Sequence, residues 1–274
     1  MSSMASYGNS TPVPPDRPRL RGEAPPGLYG FEDENGAPVV GGEGIIPILE
    51  LIDDSRYRFI GTGFFITDLG VFATAKHVIA APHQNGNQIY IWNIILPNEW
   101  KIRPVIQINC HDTDDLAVGV PSLAINPETK EPLLNARVRL TLRAHTHGDR
   151  VSTFAYPNTV IQKTEEGHIL DFRPGFYEGE ILECFPNGRD CVLLPGPCFR
   201  TSMIIHHGAS GGPVAGPSRR VFAVNSTGID GTDDSYISQI DGILSLPITM
   251  EGDHGAEQIT IGQLAEQGIV TIDP

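Results

Sequence analysis

Ser210 lies in the run Gly208-Ala209-Ser210-Gly211-Gly212-Pro213, a serine framed by three glycines and closed by a proline. A serine hydroxyl becomes a useful nucleophile only when a base takes its proton, and a histidine base works best when a carboxylate fixes its tautomer and stabilises its cation. Candidate partners lie upstream. Thr74-Ala75-Lys76-His77-Val78 follows an apolar run, and His111-Asp112-Thr113-Asp114-Asp115-Leu116-Ala117-Val118 sets three carboxylates at the entry to an apolar strand. The chain order is therefore histidine, acid, serine, and the chemistry such a set can carry is acyl transfer.

A G-x-S-x-G elbow, with its strand before and helix after the serine, also fits the letters Gly208 to Gly212 but not their context. Gly-Gly-Pro follows the serine in place of a helix, and His254 is the single histidine downstream of it. Other polar clusters carry less. His206 and His207 are adjacent, so on a strand they face opposite ways and make a poor metal site. His145 and His147 lie in a polar turn, and Asp230, Asp233 and Asp234 lack the residues and spacing of a calcium loop. No metal and no cofactor is expected.

The elements that must hold these residues are short strands. YRFIGTGFFIT, VFATA, NQIYIWNIIL and KIRPVIQINC form one β-rich block, broken by the turn Asp68-Leu69-Gly70. The polar stretch 126–135, with Pro127 and Pro132, reads as a linker to a second block of the same texture. That block runs through ARVRLTL, DRVSTFAYP, a pair of strands around Glu165-Glu166-Gly167, then CVLL, TSMII and RVFAVNSTG. Helical signal is scarce, the exception being Thr260 to Gly268, which offers an N-cap and a closing glycine. Two β-blocks with little helix predict an all-β sandwich or a pair of barrels. Before them, residues 1–42 hold seven prolines among small and charged residues and read as a flexible arm.

With 19 Lys+Arg against 33 Asp+Glu, the formal charge of −14 repels nucleic acid and anionic membranes, so neither is expected as a partner. No secretory signal is visible in the first residues, and the apolar run Gly44 to Ile52 is too short for a membrane span. The four cysteines, Cys110, Cys184, Cys191 and Cys198, contain no C-x-x-C pair and read as free thiols. A soluble cytoplasmic protein is the expectation.

Taken together, the histidine, aspartate and serine blocks resemble the three motif blocks of the chymotrypsin-like (trypsin-fold) serine proteases, of the bacterial type, over about residues 43–250. Gly61-Thr62-Gly63-Phe64 resembles the G-x-G-F strand before the histidine, and Gly148-Asp149-Arg150-Val151 through Ala155-Tyr156-Pro157 resembles a G-D-x-V…G-Y-P strand, with Ala155 in the place of a glycine. The resemblance implies two six-stranded antiparallel Greek-key β-barrels, residues 43–135 and 136–274, with the site in the cleft between them and a short C-terminal helix. It implies His77 as base, Asp115 as the orienting acid and Ser210 as nucleophile, because the family sets its acid directly before the D-L-A-V run. Asp112 and Asp114 are then solvated loop acids.

Further roles come with the same resemblance. The N–H groups of Gly208 and Ser210 form the oxyanion hole, and Ile204, His207, Asn225, Ser226, Thr227 and Gly228 line the substrate pocket. No carboxylate stands in the stretches Ile204–His207 or Asn225–Gly228, which argues against cleavage after Lys or Arg. The implied activity is that of a serine endopeptidase acting on peptides or proteins, and the alternative is a catalytically silent peptide-binding module of the same fold. Ala209 stands where precursor-activated members of the family have an aspartate. It cannot pair with a freed terminus at Val39-Val40-Gly41-Gly42, so activation by cleavage is not expected, and a regulatory protein partner is left unidentified.

Overall fold

The computed structural model describes residues 30–53, 56–96, 99–164, 167–228, 235–252 and 255–274. Six strands form a first closed barrel: β1 (Ile45–Asp53), β2 (Arg56–Phe65), β3 (Phe72–Thr74), β4 (Ile89–Leu96), β5 (Glu99–Cys110) and β6 (Ala117–Pro121), in the order β1-β2-β3-β6-β5-β4. A second barrel is built from β7 (Arg150–Ala155), β8 (Gly175–Phe185), β9 (Cys198–Thr201), β10 (Pro213–Ala215), β11 (Val221–Gly228) and β12 (Ser235–Gln239). Its order is β7-β8-β9-β12-β11-β10, closed by the β10–β11 pairing. The two halves therefore repeat one Greek-key topology, and both are antiparallel throughout the barrel.

The strands are rich in β-branched and aromatic residues, which pack well on a pleated surface. In β2 the first half alternates between partly exposed and exposed positions, whereas Gly61 to Phe65 are all buried because the second barrel covers that end. Phe64, Phe65, Phe72, Ile46, Ile48 and Ile91 are almost wholly inaccessible and join one core with Phe154 and Tyr156 of the second barrel. The Tyr156 hydroxyl crosses between barrels and donates to the Ile45 carbonyl at 2.7 Å. Burial raises its pKa well beyond the ordinary phenol value.

Among the described residues, two α-helices and one 3-10 helix, Ile240–Ser245, interrupt this β framework. α1 (Lys76–Gln84) follows β3 directly, a helix the sequence reading did not anticipate, since Ala75 makes no side-chain cap and Pro82 lies inside the nine residues. The expected C-terminal helix is α2 (Ile261–Glu266). There Thr260 and Gln263 form a reciprocal capping box, with Thr260 N–H donating to Gln263 Oε1 at 2.8 Å and Gln263 N–H donating to Thr260 Oγ1 at 3.2 Å. No helix among the described residues is long and apolar enough to cross a membrane.

The arm needs a shorter boundary than residues 1–42. Residues 1–29 lie outside the described part, but Phe31–Glu32 pairs antiparallel with Pro38–Val39 in a small hairpin. Phe31 and Val39 are 2% and 3% exposed, so two apolar side chains anchor a segment whose prolines and charges had suggested an unpacked chain. The strands expected around 165–166 are Val160–Thr164 and Gly167–Asp171, with the turn residues themselves outside the described part. Asp230, Asp233, Asp234 and His254 also fall outside it.

Candidate active site

The candidate site lies where α1, the β5–β6 turn and β2 of the first barrel meet the serine loop and β11 of the second. His77 is the second residue of α1, and Asp115 sits in the irregular turn between β5 and β6. His77 grips Asp115 twice: its backbone N–H donates to Oδ1 at 2.9 Å, and ring Nδ1 lies 2.8 Å from Oδ2. With the hydrogen on Nδ1, the second ring nitrogen is left as an acceptor. The His77 side chain is 48% exposed while that of Asp115 is 10% exposed, so a partly buried carboxylate orients a ring that faces solvent.

A third group completes the carboxylate's shell. The Ser226 hydroxyl, on β11 of the second barrel, donates to Asp115 Oδ2. Ser226 had been placed by resemblance in the substrate pocket. It is 2% exposed, and its polar atom faces the acid. Asn225 beside it is fully buried: its side-chain N–H groups reach Thr153 Oγ1 at 2.7 Å and the Ala209 carbonyl at 3.3 Å, behind the serine loop. Of the other expected pocket residues, Ile204 is 54% exposed, and His207 and Gly228 are exposed as well.

Ser210 is held by the first barrel. Thr62 N–H donates to the Ser210 carbonyl at 2.9 Å, and Thr62 Oγ1 donates to the Gly208 carbonyl at 2.9 Å. Thr74 Oγ1 in turn fixes the Thr62 carbonyl at 2.7 Å. These contacts explain the glycines. A Cβ at Gly61 would lie 2.8 Å from both Val78 methyls and 3.0 Å from the Ser210 carbonyl oxygen, so the start of α1 and the serine loop meet over that glycine. Gly211, at φ +86°, would place a Cβ 2.0 Å from the Thr62 carbonyl oxygen.

The turn before the serine has a defined hand. Ala209 N–H bonds to the His206 carbonyl at 3.1 Å, and Gly208 has φ +88°, the pattern of a type II turn. The His207 carbonyl accepts from Asn158 N–H at 3.1 Å. Since the peptide is planar and trans, the Gly208 N–H of that unit points away from Asn158. Among the described residues no group takes the N–H of Gly208 or of Ser210.

Asp114 departs from the solvated role expected of it. It is 9% exposed, and its carboxylate is so close to Gly196 and Gly242 that a Cβ there would lie 2.1 Å and 2.6 Å from its oxygens. The acid turn is thus keyed into two glycine notches of the second half of the chain. Thr62, Asn158 and these two glycines are parts of the site that sequence reasoning missed. Only the G-x-G-F pattern around Thr62 gave any local signal.

This double barrel is the chymotrypsin-like fold. Among solved structures, Deg5 matches at a TM-score of 0.52 and 19% identity, covering 73% of this chain and 85% of its own. The active form of the Rv3671c protease from M. tuberculosis matches at a TM-score of 0.51 and 16% identity, covering 85% and 84%. No family model matches the chain. No curated protein matches it either.

Proposed function

We propose that the chain is a serine endopeptidase in which His77, Asp115 and Ser210 act as a triad. The observation that carries this reading is the double grip of His77 on a partly buried Asp115, set across Gly61 from a serine loop whose turn leaves two N–H groups untaken. His77 Nε2 takes the proton of Ser210 Oγ as the oxygen attacks the peptide carbonyl. The oxyanion formed accepts from Gly208 N–H and Ser210 N–H. The imidazolium, steadied by Asp115, returns its proton to the leaving amine, and water then releases the acyl group by the same steps in reverse order. Ser226 keeps the carboxylate turned toward the ring.

The substrate is a peptide or protein, and cleavage after Lys or Arg is disfavoured: Ile204, His207 and Gly228, the exposed part of the expected pocket, offer no carboxylate to pair with either cation. The four cysteines are free, the state that a reducing compartment such as the cytoplasm maintains. A fluorophosphonate probe tests the reading. Covalent labelling that maps to Ser210 and vanishes in Ser210→Ala supports it. Absence of labelling in the wild-type protein would leave a peptide-binding module of protease fold.

A further inference from the structure

Lys76 opens α1 and carries its cation at the end of the helix where backbone N–H groups already create positive potential. No acidic residue stands in that first turn to offset it. The side chain is nevertheless turned to a specific purpose: its Nζ donates to the His111 carbonyl at 2.6 Å and to the Asp112 carbonyl at 2.9 Å. Both acceptors belong to the irregular turn that carries Asp115. Hydrogen bonds from a cation are about twice as strong as neutral ones, and here two converge on one short loop.

We infer that Lys76 is a positioning residue that clamps the acid turn so that Asp115 meets His77 in a single geometry. Three features make the turn need such a clamp. It has no regular strand pairing of its own between Cys110 and Ala117, being closed by His111 N–H to the Leu116 carbonyl at 2.9 Å. It concentrates Asp112, Asp114 and Asp115 within four residues, so it repels itself unless a cation lies near. Its far side is already fixed, by Asp114 in the notches at Gly196 and Gly242 and by Asp114 N–H donating to His111 Nδ1 at 2.9 Å. Lys76 supplies the near side. Consecutive residues of one helix thus hold the turn, Lys76 through its carbonyls and His77 through its carboxylate.

The inference rests on the triad reading for its effect on rate, but not for its effect on the His77–Asp115 bond. The test compares wild type with Lys76→Met, which keeps length and removes the donors, and Lys76→Arg, which restores two donors and the charge. Two readouts are needed: peptide hydrolysis, and the NMR signal of the His77 Nδ1 hydrogen, identified by its loss in His77→Gln. In Lys76→Met the signal should broaden or exchange faster with water. At the same time kcat should fall about 10- to 100-fold with KM changed less than about threefold, the cost expected of a small misplacement of the base. Lys76→Arg should recover most of both. A wild-type Nδ1 signal and wild-type kcat in a folded Lys76→Met protein would overturn the inference, as would a loss in Lys76→Met that Lys76→Arg fails to recover at all. If the wild-type protein neither labels nor hydrolyses but the Nδ1 signal still depends on Lys76, the clamp stands and the protease reading fails.

Discussion

The hydroxyl of Ser226 and the backbone N–H of His77 approach the carboxylate of Asp115 from different barrels, one from β11 and one from α1. The acid is therefore the point at which the two halves of the molecule agree on the direction of the imidazole. Removing one hydrogen bond from this partly buried carboxylate leaves an acceptor less well satisfied and lets the group rotate. Ser226→Ala is expected to lower kcat by about tenfold while Asp115→Asn lowers it by several powers of ten through the wrong ring tautomer. Steady-state kinetics on one peptide substrate ranks the two, and equal losses would contradict the assigned hierarchy.

Ser210→Ala and His77→Ala should each reduce hydrolysis to the same residual level, and the double variant should lie close to either single one, because members of a triad act as a unit. A double variant far slower than both singles would mean that the two residues serve separate steps.

Gly208 carries the turn that aims its N–H, and its φ of +88° is one that side chains resist. A Cβ there would also come within 2.5 Å of the Phe59 ring and 3.1 Å of the Tyr156 carbonyl oxygen. Gly208→Ala is expected to cost about 10²- to 10³-fold in kcat, the usual price of one oxyanion donor, with KM nearly unchanged. Labelling by the fluorophosphonate should slow in parallel. A loss confined to KM would place Gly208 in substrate binding instead.

Much of this site was legible because its parts are local. The serine between glycines, the histidine after β3 and the aspartate before β6 are each set by a few neighbouring letters, while the repeat of β-rich blocks left a sandwich or a pair of barrels open and the family resemblance pointed to the pair. What escaped were contacts between distant segments. Thr62 reaches Gly208 over 146 residues, and nothing in the letters around Thr62 names that partner. Ser226 and Asn225 were read as one stretch of pocket wall, yet the bulge in the β11–β12 pairing between Asn225 and Gly228 alters the register there, and both side chains lead inward. Phe31 is buried by a hairpin too short to leave a periodic signature.

His145 predicts how stability responds to acid. Its ring stacks on Phe222 at 3.7 Å, its Nδ1 lies 3.2 Å from Asp149 Oδ2, and its side chain is 11% exposed. Burial lowers its pKa, with Asp149 opposing and Arg143 assisting. The folded chain thus binds this proton less readily than the unfolded one. The contribution of His145 is complete above the ordinary histidine range, begins to be lost as pH falls below about 6.5, and goes on falling toward the lowered folded-state pKa. Tm should decline between pH 7 and pH 5 in the wild type and less steeply in His145→Phe, which keeps the stack; parallel curves would place the acid sensitivity elsewhere.

The cysteines divide by environment. Burial pushes the Cys198 thiol up to about 11 and raises that of Cys110, whereas Cys184 and Cys191 are exposed. A thiol reagent at pH 8 should modify two cysteines quickly in the folded protein and four after denaturation, and reductant should leave Tm unchanged. Rapid reaction of Cys198 in the native state would show that its strand opens.

Ala209 bears on how activity is switched on. It is fully buried directly before Ser210, and its carbonyl is held by Gly212 N–H at 3.1 Å and by Asn225. A terminal ammonium inserted there would find no carboxylate, at a cost of several kcal/mol. Val39 is already committed elsewhere, buried and paired with Phe31. The 274-residue chain is therefore expected to be active without cleavage before Val39. A chain beginning at Gly30 should match it in rate and stability, because it keeps the hairpin. A chain beginning at Val39 loses the burial of Phe31, worth about 1.5–3 kcal/mol, and should melt several degrees lower without gaining activity. Comparing kcat/KM and Tm across the three chains decides the matter: a gain of activity confined to the Val39 chain would show that this fold, despite Ala209, is released by its own new terminus.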